Sequence, residues 1–231
     1  MENQSVVAIL SLAFGLGLLH ALDADHIMAV SGLASTRPGL RSSIKFCAHW
    51  AIGHGLTLLS IGAGVFLLGM AIPTRLSEYA EHLVGAVLIA IGVWIIWQLA
   101  RQKAHLHFHR HDDLPRHAHW HVHTKHIAED IHQRHSHDHS AITVGILHGT
   151  AGSAPLLALL PLAKMGSPWI GMGYLAVFGL GVIAAMMLFG GLLGGVYTWL
   201  SRRGEGIIRI LRATVALSSI SFGAYLIYGS A

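Results

Sequence analysis

Long apolar runs separated by short polar connections dominate the chain. Six emerge, over residues 5–34, 44–72, 79–99, 141–162, 169–200 and 207–228. Each meets or exceeds the about 20 residues that a helix needs to cross a hydrocarbon core of about 30 Å. None alternates apolar and polar positions as a half-buried strand would. The pattern predicts an all-α polytopic membrane protein with six transmembrane helices. Composition agrees: 53% of the 231 residues are hydrophobic and 11% are charged, which excludes a soluble globule. The first run lacks a basic start and is longer than a secretory signal, so it reads as a span and not as a cleaved leader.

Charge orients the spans. Arg37, Arg41 and Lys45 follow the first. Arg101, Lys103, Arg110, Arg116, Lys125 and Arg134 lie between the third and fourth. Arg202, Arg203 and Arg209 lie between the fifth and sixth. The other side carries Arg75 and Lys164, and Arg212 falls within the last span. Basic residues collect on the cytoplasmic side, so these three connections are expected inside and both termini outside, in a plasma (inner) membrane. The formal charge of +4 thus reports topology, not nucleic-acid binding. One cysteine, Cys47, excludes an internal disulfide and a paired-cysteine redox relay.

The two halves echo one another. Gly17-Leu18-Leu19-His20-Ala21 parallels Gly145-Ile146-Leu147-His148-Gly149, and Gly92-Val93-Trp94-Ile95-Ile96-Trp97 parallels Gly223-Ala224-Tyr225-Leu226-Ile227-Tyr228. With three spans per half the halves would insert in opposite senses, a 3+3 inverted repeat. The organisation expected is a first half over 1–101, a polar loop over 102–140 and a second half over 141–231.

Ionisable residues inside the spans carry the candidate chemistry. His20, Asp23, Asp25 and His26 interrupt the first apolar run. Charged side chains at that depth cost about 2.5–3.5 kcal/mol each, so they persist only facing a partner, a cavity or an ion. The plain alternative ends the helix at Leu22 and leaves both carboxylates among headgroups. Imidazole with carboxylate suits a divalent first-row metal, whereas magnesium or calcium would need oxygen alone. On a regular helix His20 and His26 point about 120° apart, and His20 and Asp25 about 140° apart. Shared ligation therefore requires the helix to unwind or bulge here. His54, flanked by Gly53 and Gly55 deep in the second span, is a further ligand or relay candidate. His49, near the edge of that span, reads as interfacial, and Cys47 as a small buried residue. In the fourth span His148 precedes Gly149-Thr150-Ala151-Gly152-Ser153-Ala154-Pro155, poor helix material that would put a second interruption opposite the first. His148 is a candidate metal residue or a hydrogen-bonded bundle histidine.

The loop is of another kind. Residues 105–139 hold thirteen of the nineteen histidines, among them His105, His107, His109, His111, His117, His119, His121, His123, His135, His137 and His139. Their polarity argues for disorder without metal, and their density for a cytosolic buffer or sensor of transition metals, Zn²⁺ included.

His20-Ala21-Leu22-Asp23-Ala24-Asp25-His26 resembles the His-x4-Asp-His signature of the nickel/cobalt transporter family, and Ile52-Gly53-His54-Gly55 is similar to its Gly-His-containing helix motif. The acidic later motif of familiar importers has no counterpart at 148–153. The chain's size and its Ala-Leu-Asp-Ala-Asp-His wording resemble the shorter UreH-like members, while a six-span bundle with a His-rich loop is similar to the nickel/cobalt efflux branch. The resemblance implies a permease for Ni²⁺ and Co²⁺ with no permanent cofactor, in which His20, Asp25 and His26, then His54, form the metal site. It also implies a cytosolic nickel chaperone or a metalloenzyme-maturation partner. Uptake is favoured over efflux by the first motif; the loop points the other way. Two other classes remain: a membrane-anchored metal-binding or metallochaperone protein, and a membrane metallohydrolase, for which no His-Glu-x-x-His motif is present.

Overall fold

The computed structural model describes residues 2–35, 39–70, 74–101, 104–109, 117–122, 139–150 and 167–229. Seven helices are described: α1 (Glu2–His20), α2 (Ala24–Ala34), α3 (Leu40–Leu68), α4 (Thr74–Arg101), α5 (His139–Thr150), α6 (Pro168–Ser201) and α7 (Glu205–Tyr228). Two short strands, β1 (Ala104–His109) and β2 (His117–Val122), lie between α4 and α5.

The helices α3, α6 and α7 and the stretch Tyr79–Arg101 of α4 are long and apolar enough to cross a membrane. The α1–α2 pair passes the same test as one span bent by 56°. That makes up to five spans among the described residues, against the six expected. The difference lies in the fourth, of which the apolar part of α5 is described and positions 151–162 fall outside the described residues.

Local signals explain the ends. Pro168 opens α6 where its missing N–H would have had no helical partner. Gly69, at φ 64°, closes α3 in the left-handed conformation that a side chain disfavours. Gly204, at φ 135°, makes the tight turn from α6 into α7.

Packing divides the bundle. The main core joins α1, α3, α5 and α6 around Ala13, Phe46, Trp50, Leu58, Ala141, Tyr174, Phe178 and Met186. A second contact joins α4 to α7. There Gly85 and Gly223 each lie against the other's carbonyl, and Ser219 donates to the carbonyl of Leu88 at 2.9 Å. The helix α2 leaves the first group to reach the second: Ala29 packs on Ala80, Val84 and Leu88 of α4. Lipid-facing residues such as Leu56, Leu180, Leu188 and Leu192 stay exposed on the outside, as a bundle solvated by hydrocarbon permits.

The expectation of disorder through 105–139 is corrected for 104–109 and 117–122, which pair as an antiparallel hairpin. The reason is periodic. His-x-His-x-His alternates with period two, and Leu106, Phe108 and Trp120 in the intervening positions favour strand. Composition had outweighed periodicity in the expectation.

Candidate metal centre

The bent span breaks between His20 and Ala24, where two ligand candidates on one helix could not otherwise converge. The amides of Leu22 and Asp23 donate to the carbonyls of Leu19 and His20 at 2.9 and 3.0 Å, a tight turn in place of the helical ladder. The turn brings the His20 and His26 rings to 4.5 Å between centroids, edge to face. From α3, His54 completes the group, its ring 5.3 Å from that of His20 and 5.0 Å from that of His26. One ligand atom of each of these three residues lies within 4.8 Å of the others.

Each imidazole is buried, His20 at 8% exposure, His26 at 1% and His54 at none. Burial without compensation is unfavourable for such polar rings, and two of them are held by carboxylates. His20 Nδ1 lies 2.7 Å from Asp23 Oδ2, and His26 Nδ1 lies 2.9 Å from Asp25 Oδ1. With each Nδ1–H donated, the Nε2 lone pair of both rings is left for a metal, the tautomer that carboxylate-backed metal histidines use. Among the described residues, His26 Nε2 and His54 Nδ1 have no hydrogen-bond partner. His20 Nε2 and His54 Nε2 stand 3.3 Å apart. Two nitrogens bound at about 2.0–2.1 Å to one tetrahedral ion would be separated by about 3.3 Å. The donor set therefore fits a nitrogen-preferring divalent ion and is too poor in oxygen for magnesium or calcium.

The remaining sequence candidates divide. His148, on α5, is fully buried and donates Nδ1–H to the carbonyl of Val144 at 2.9 Å, leaving Nε2 without a partner among the described residues. Its ring is 5.8 Å from that of His26, beside the three-histidine group and not within it. Asp23 and Asp25 back one imidazole each. Their side chains are 44% and 20% exposed, where the ligand rings are not. His49 bonds the carbonyl of Lys45 on the outside of α3, and Cys47 is buried against Gly190. The strands carry His105, His107, His109, His117, His119 and His121; the other loop histidines named above, apart from His139 at the start of α5, lie outside the described residues.

Trp50 is the residue that the motif reading passed over. Fully buried, it stacks on His54 at 5.3 Å and 10° and meets His26 and His148 edge-on at 4.8 and 5.5 Å. One signal could have found it: four residues before His54, it shares that face of the helix. Phe178 of α6 lies against the far side of His20 at 5.5 Å. The centre is thus an imidazole cluster in an aromatic wall.

A helical membrane body with a cluster of buried imidazoles at a broken span defines a polytopic protein with a buried metal-type site. Comparison places it more closely. Residues 13–225 match the family described as the cytochrome c biogenesis protein transmembrane region. The chain is 32% identical to the urease accessory protein UreH of Bacillus sp. strain TB-90, over 99% of this chain and 94% of that one. It is 26% identical to a proposed nickel/cobalt efflux system of Methanocaldococcus jannaschii, over 75% of this chain and 70% of that one. No solved structure matches it significantly. The chain belongs to the cytochrome c biogenesis protein transmembrane region family, and its similarity to UreH and to the nickel/cobalt system also makes it a member of the UreH-like nickel/cobalt transporter family.

Proposed function

We propose that this protein is a permease for divalent first-row metal ions, Ni²⁺ first and Co²⁺ beside it, and not an enzyme. The observation that carries the reading is the convergence of His20, His26 and His54 in a buried group whose ligand atoms lie within 4.8 Å. A transported ion needs a site that replaces its hydration shell yet releases it. Neutral imidazoles do the first, and a proton that displaces the metal from a ring nitrogen does the second, since a protonated nitrogen cannot ligate. Asp23 and Asp25 act from behind, fixing the tautomers and offsetting the ion's charge. UreH is called a urease accessory protein and the archaeal relative a proposed nickel/cobalt efflux system. Both names accord with nickel as cargo, and the first with delivery to a cytosolic chaperone or metalloenzyme-maturation partner. Uptake is the direction we favour, on the wording of the first motif.

The architecture proposed is six spans in a 3+3 inverted repeat, termini outside and the His-rich loop in the cytoplasm. Reciprocal packing supports it. A shift of 128 positions takes Phe14, Gly17 and His20 of α1 onto Ile142, Gly145 and His148 of α5, and Trp50 and Gly53 of α3 onto Phe178 and Gly181 of α6. The contacts follow the same shift. A Cβ at Gly17 would strike the carbonyl of Phe178 and one at Gly181 that of Phe14; a Cβ at Gly145 would strike the carbonyl of Trp50 and one at Gly53 that of Ile142. Between α4 and α7 a shift of 131 takes the Gly85–Gly223 contact onto the contact of Gly92 with Ala216.

The loop serves as a metal buffer. The hairpin register sets His105 opposite His121, His107 opposite His119 and His109 opposite His117. By the two-residue period of a strand, all six belong to one face of the ribbon.

The test of the permease is radioactive nickel flux into sealed proteoliposomes of defined orientation, with the intact protein, His20→Ala and a deletion of 105–138. Flux that survives the deletion and vanishes with His20→Ala is expected. No flux in any form, with metal still bound by the loop, would replace the permease with a membrane-anchored metal-binding protein.

A further inference from the structure

His148 has an unexplained state. It is fully buried, its Nδ1–H is committed to the Val144 carbonyl, and among the described residues its Nε2 lone pair meets no donor. An unsatisfied ring nitrogen in a membrane interior is unfavourable unless something visits it. Its tautomer is the one His20 and His26 adopt, held here by a carbonyl in place of a carboxylate.

Its position adds to this. Under the shift that relates the halves, His148 is the counterpart of His20. His20 projects from the α1–α6 contact and His148 from the α5–α3 contact, and close glycine approaches stand at equivalent places in both. In a pair of inverted halves the two faces of the transport cycle are the two ways the halves can exchange conformations. The side chain that His20 presents to the centre in one state is then presented by His148 in the other. His26, with its ring 4.5 Å from that of His20 and 5.8 Å from that of His148, lies between them. The exchange is not between equals. The counterparts of Asp23, Asp25, His26 and His54 are Ala151, Ser153, Ala154 and Val182. Among these counterpart positions only His148 carries an imidazole or a carboxylate, so they offer a single nitrogen.

We propose that His148 takes the ion over from His20 during turnover: one imidazole nitrogen leaves the metal as another joins, while His26 and His54 stay bound. Coordination number and charge are then conserved through the step, and the ion never stands bare in the bilayer. This inference rests on the permease reading.

The experiment is nickel flux in proteoliposomes, read as half-saturation and maximal rate, for the wild type, His148→Ala, His148→Asn and His20→Ala. Asn can still donate to the Val144 carbonyl, and so guards against simple misfolding; size-exclusion profile and thermal midpoint check both variants. The expected result is a split. Both His148 variants lose at least tenfold in maximal rate with half-saturation changed less than threefold, whereas His20→Ala loses saturable uptake altogether. Unchanged maximal rate in His148→Asn would overturn the handover. So would half-saturation shifted as severely as in His20→Ala, since His148 would then be a resident ligand. Absence of flux in the wild type is a different failure, that of the permease reading itself.

Discussion

Asp25→Asn separates a carboxylate that ligates from one that orients. In the structure Asp25 Oδ1 accepts from His26 Nδ1 at 2.9 Å, and the carboxylate is 20% exposed. Asn is nearly isosteric and its carbonyl oxygen still accepts that bond, so the tautomer survives while the negative charge is lost. Replacing such an outer partner costs about 10–100-fold in metal affinity, or about 1.4–2.7 kcal/mol. A resident ligand is worth more. Structural four-ligand sites bind with about 10–16 kcal/mol, so each ligand accounts for about 2.5–4 kcal/mol, or about 70- to 900-fold. The assay is equilibrium dialysis of nickel against the detergent-solubilised chain with the loop histidines saturated, comparing Asp25→Asn with His26→Ala. Asp25→Asn is expected to weaken binding by tens of fold and remain well short of His26→Ala. Equal losses would make Asp25 a ligand and refute the orienting role. No loss would show that its charge does not reach the ion.

Three further outcomes are expected. Trp50→Ala removes the wall that His54 stacks on and opens a cavity among fully buried rings; it should cost about 3–5 kcal/mol of stability, read as a lowered thermal midpoint in detergent, together with weaker half-saturation for nickel. Exchanging neighbours in the hairpin (His107→Phe with Phe108→His, and His119→Trp with Trp120→His) conserves composition but moves one facing pair to the other side of the ribbon. Metal binding by the loop should fall at least about tenfold by calorimetry, while an unstructured histidine chain would show no change. Saturable nickel binding to the membrane site should weaken from about pH 7.5 down to about pH 4, because metal ion and proton compete for the same ring lone pairs. Binding that is flat over that range, by dialysis at constant ionic strength, would contradict imidazole ligation.

Much of this was legible in the residues. The break in the first span follows from arithmetic: His20 and His26 cannot meet on an uninterrupted helix, and the chain between them turns. Gly53 and Gly55 beside His54 announced a close helix contact, and Gly53 proves to abut Ile142 of α5. The division of labour between carboxylates and imidazoles was not legible. Asp23 and Asp25 stand at ligand spacing, and which atoms face inward depends on how the turn at 21–23 rotates α2, a tertiary outcome. Trp50 was hidden for a similar reason: an aromatic at helical spacing in a membrane span reads equally well as lipid contact, and its inward aim is set by α5 and α6 packing around it. The hairpin was in the sequence as period two, but composition spoke louder than period.

On the permease reading proposed above, the asymmetry of the two halves bears on how such a bundle would move one ion at a time. Two fully equivalent halves would supply two carboxylate-backed histidine sets, and two divalent ions a few ångströms apart repel strongly where little water screens them. Here the acidic pair and His26 lie on one half and Ala151, Ser153 and Ala154 on the other, while the reciprocal glycine contacts of α1, α3, α5 and α6 are kept. In the inverted repeat proposed above, packing would preserve the symmetry between the halves, and ligand chemistry would break it. The helix that carries the chemistry is also the one that leaves the main core: from Asp25-His26 the α2 chain runs directly onto α4 through Ala29. On the proposed permease reading, a change in ligation at His26 would act on the first turn of a helix whose body is packed on α4, and occupancy of the centre would bias the position of the α4–α7 pair.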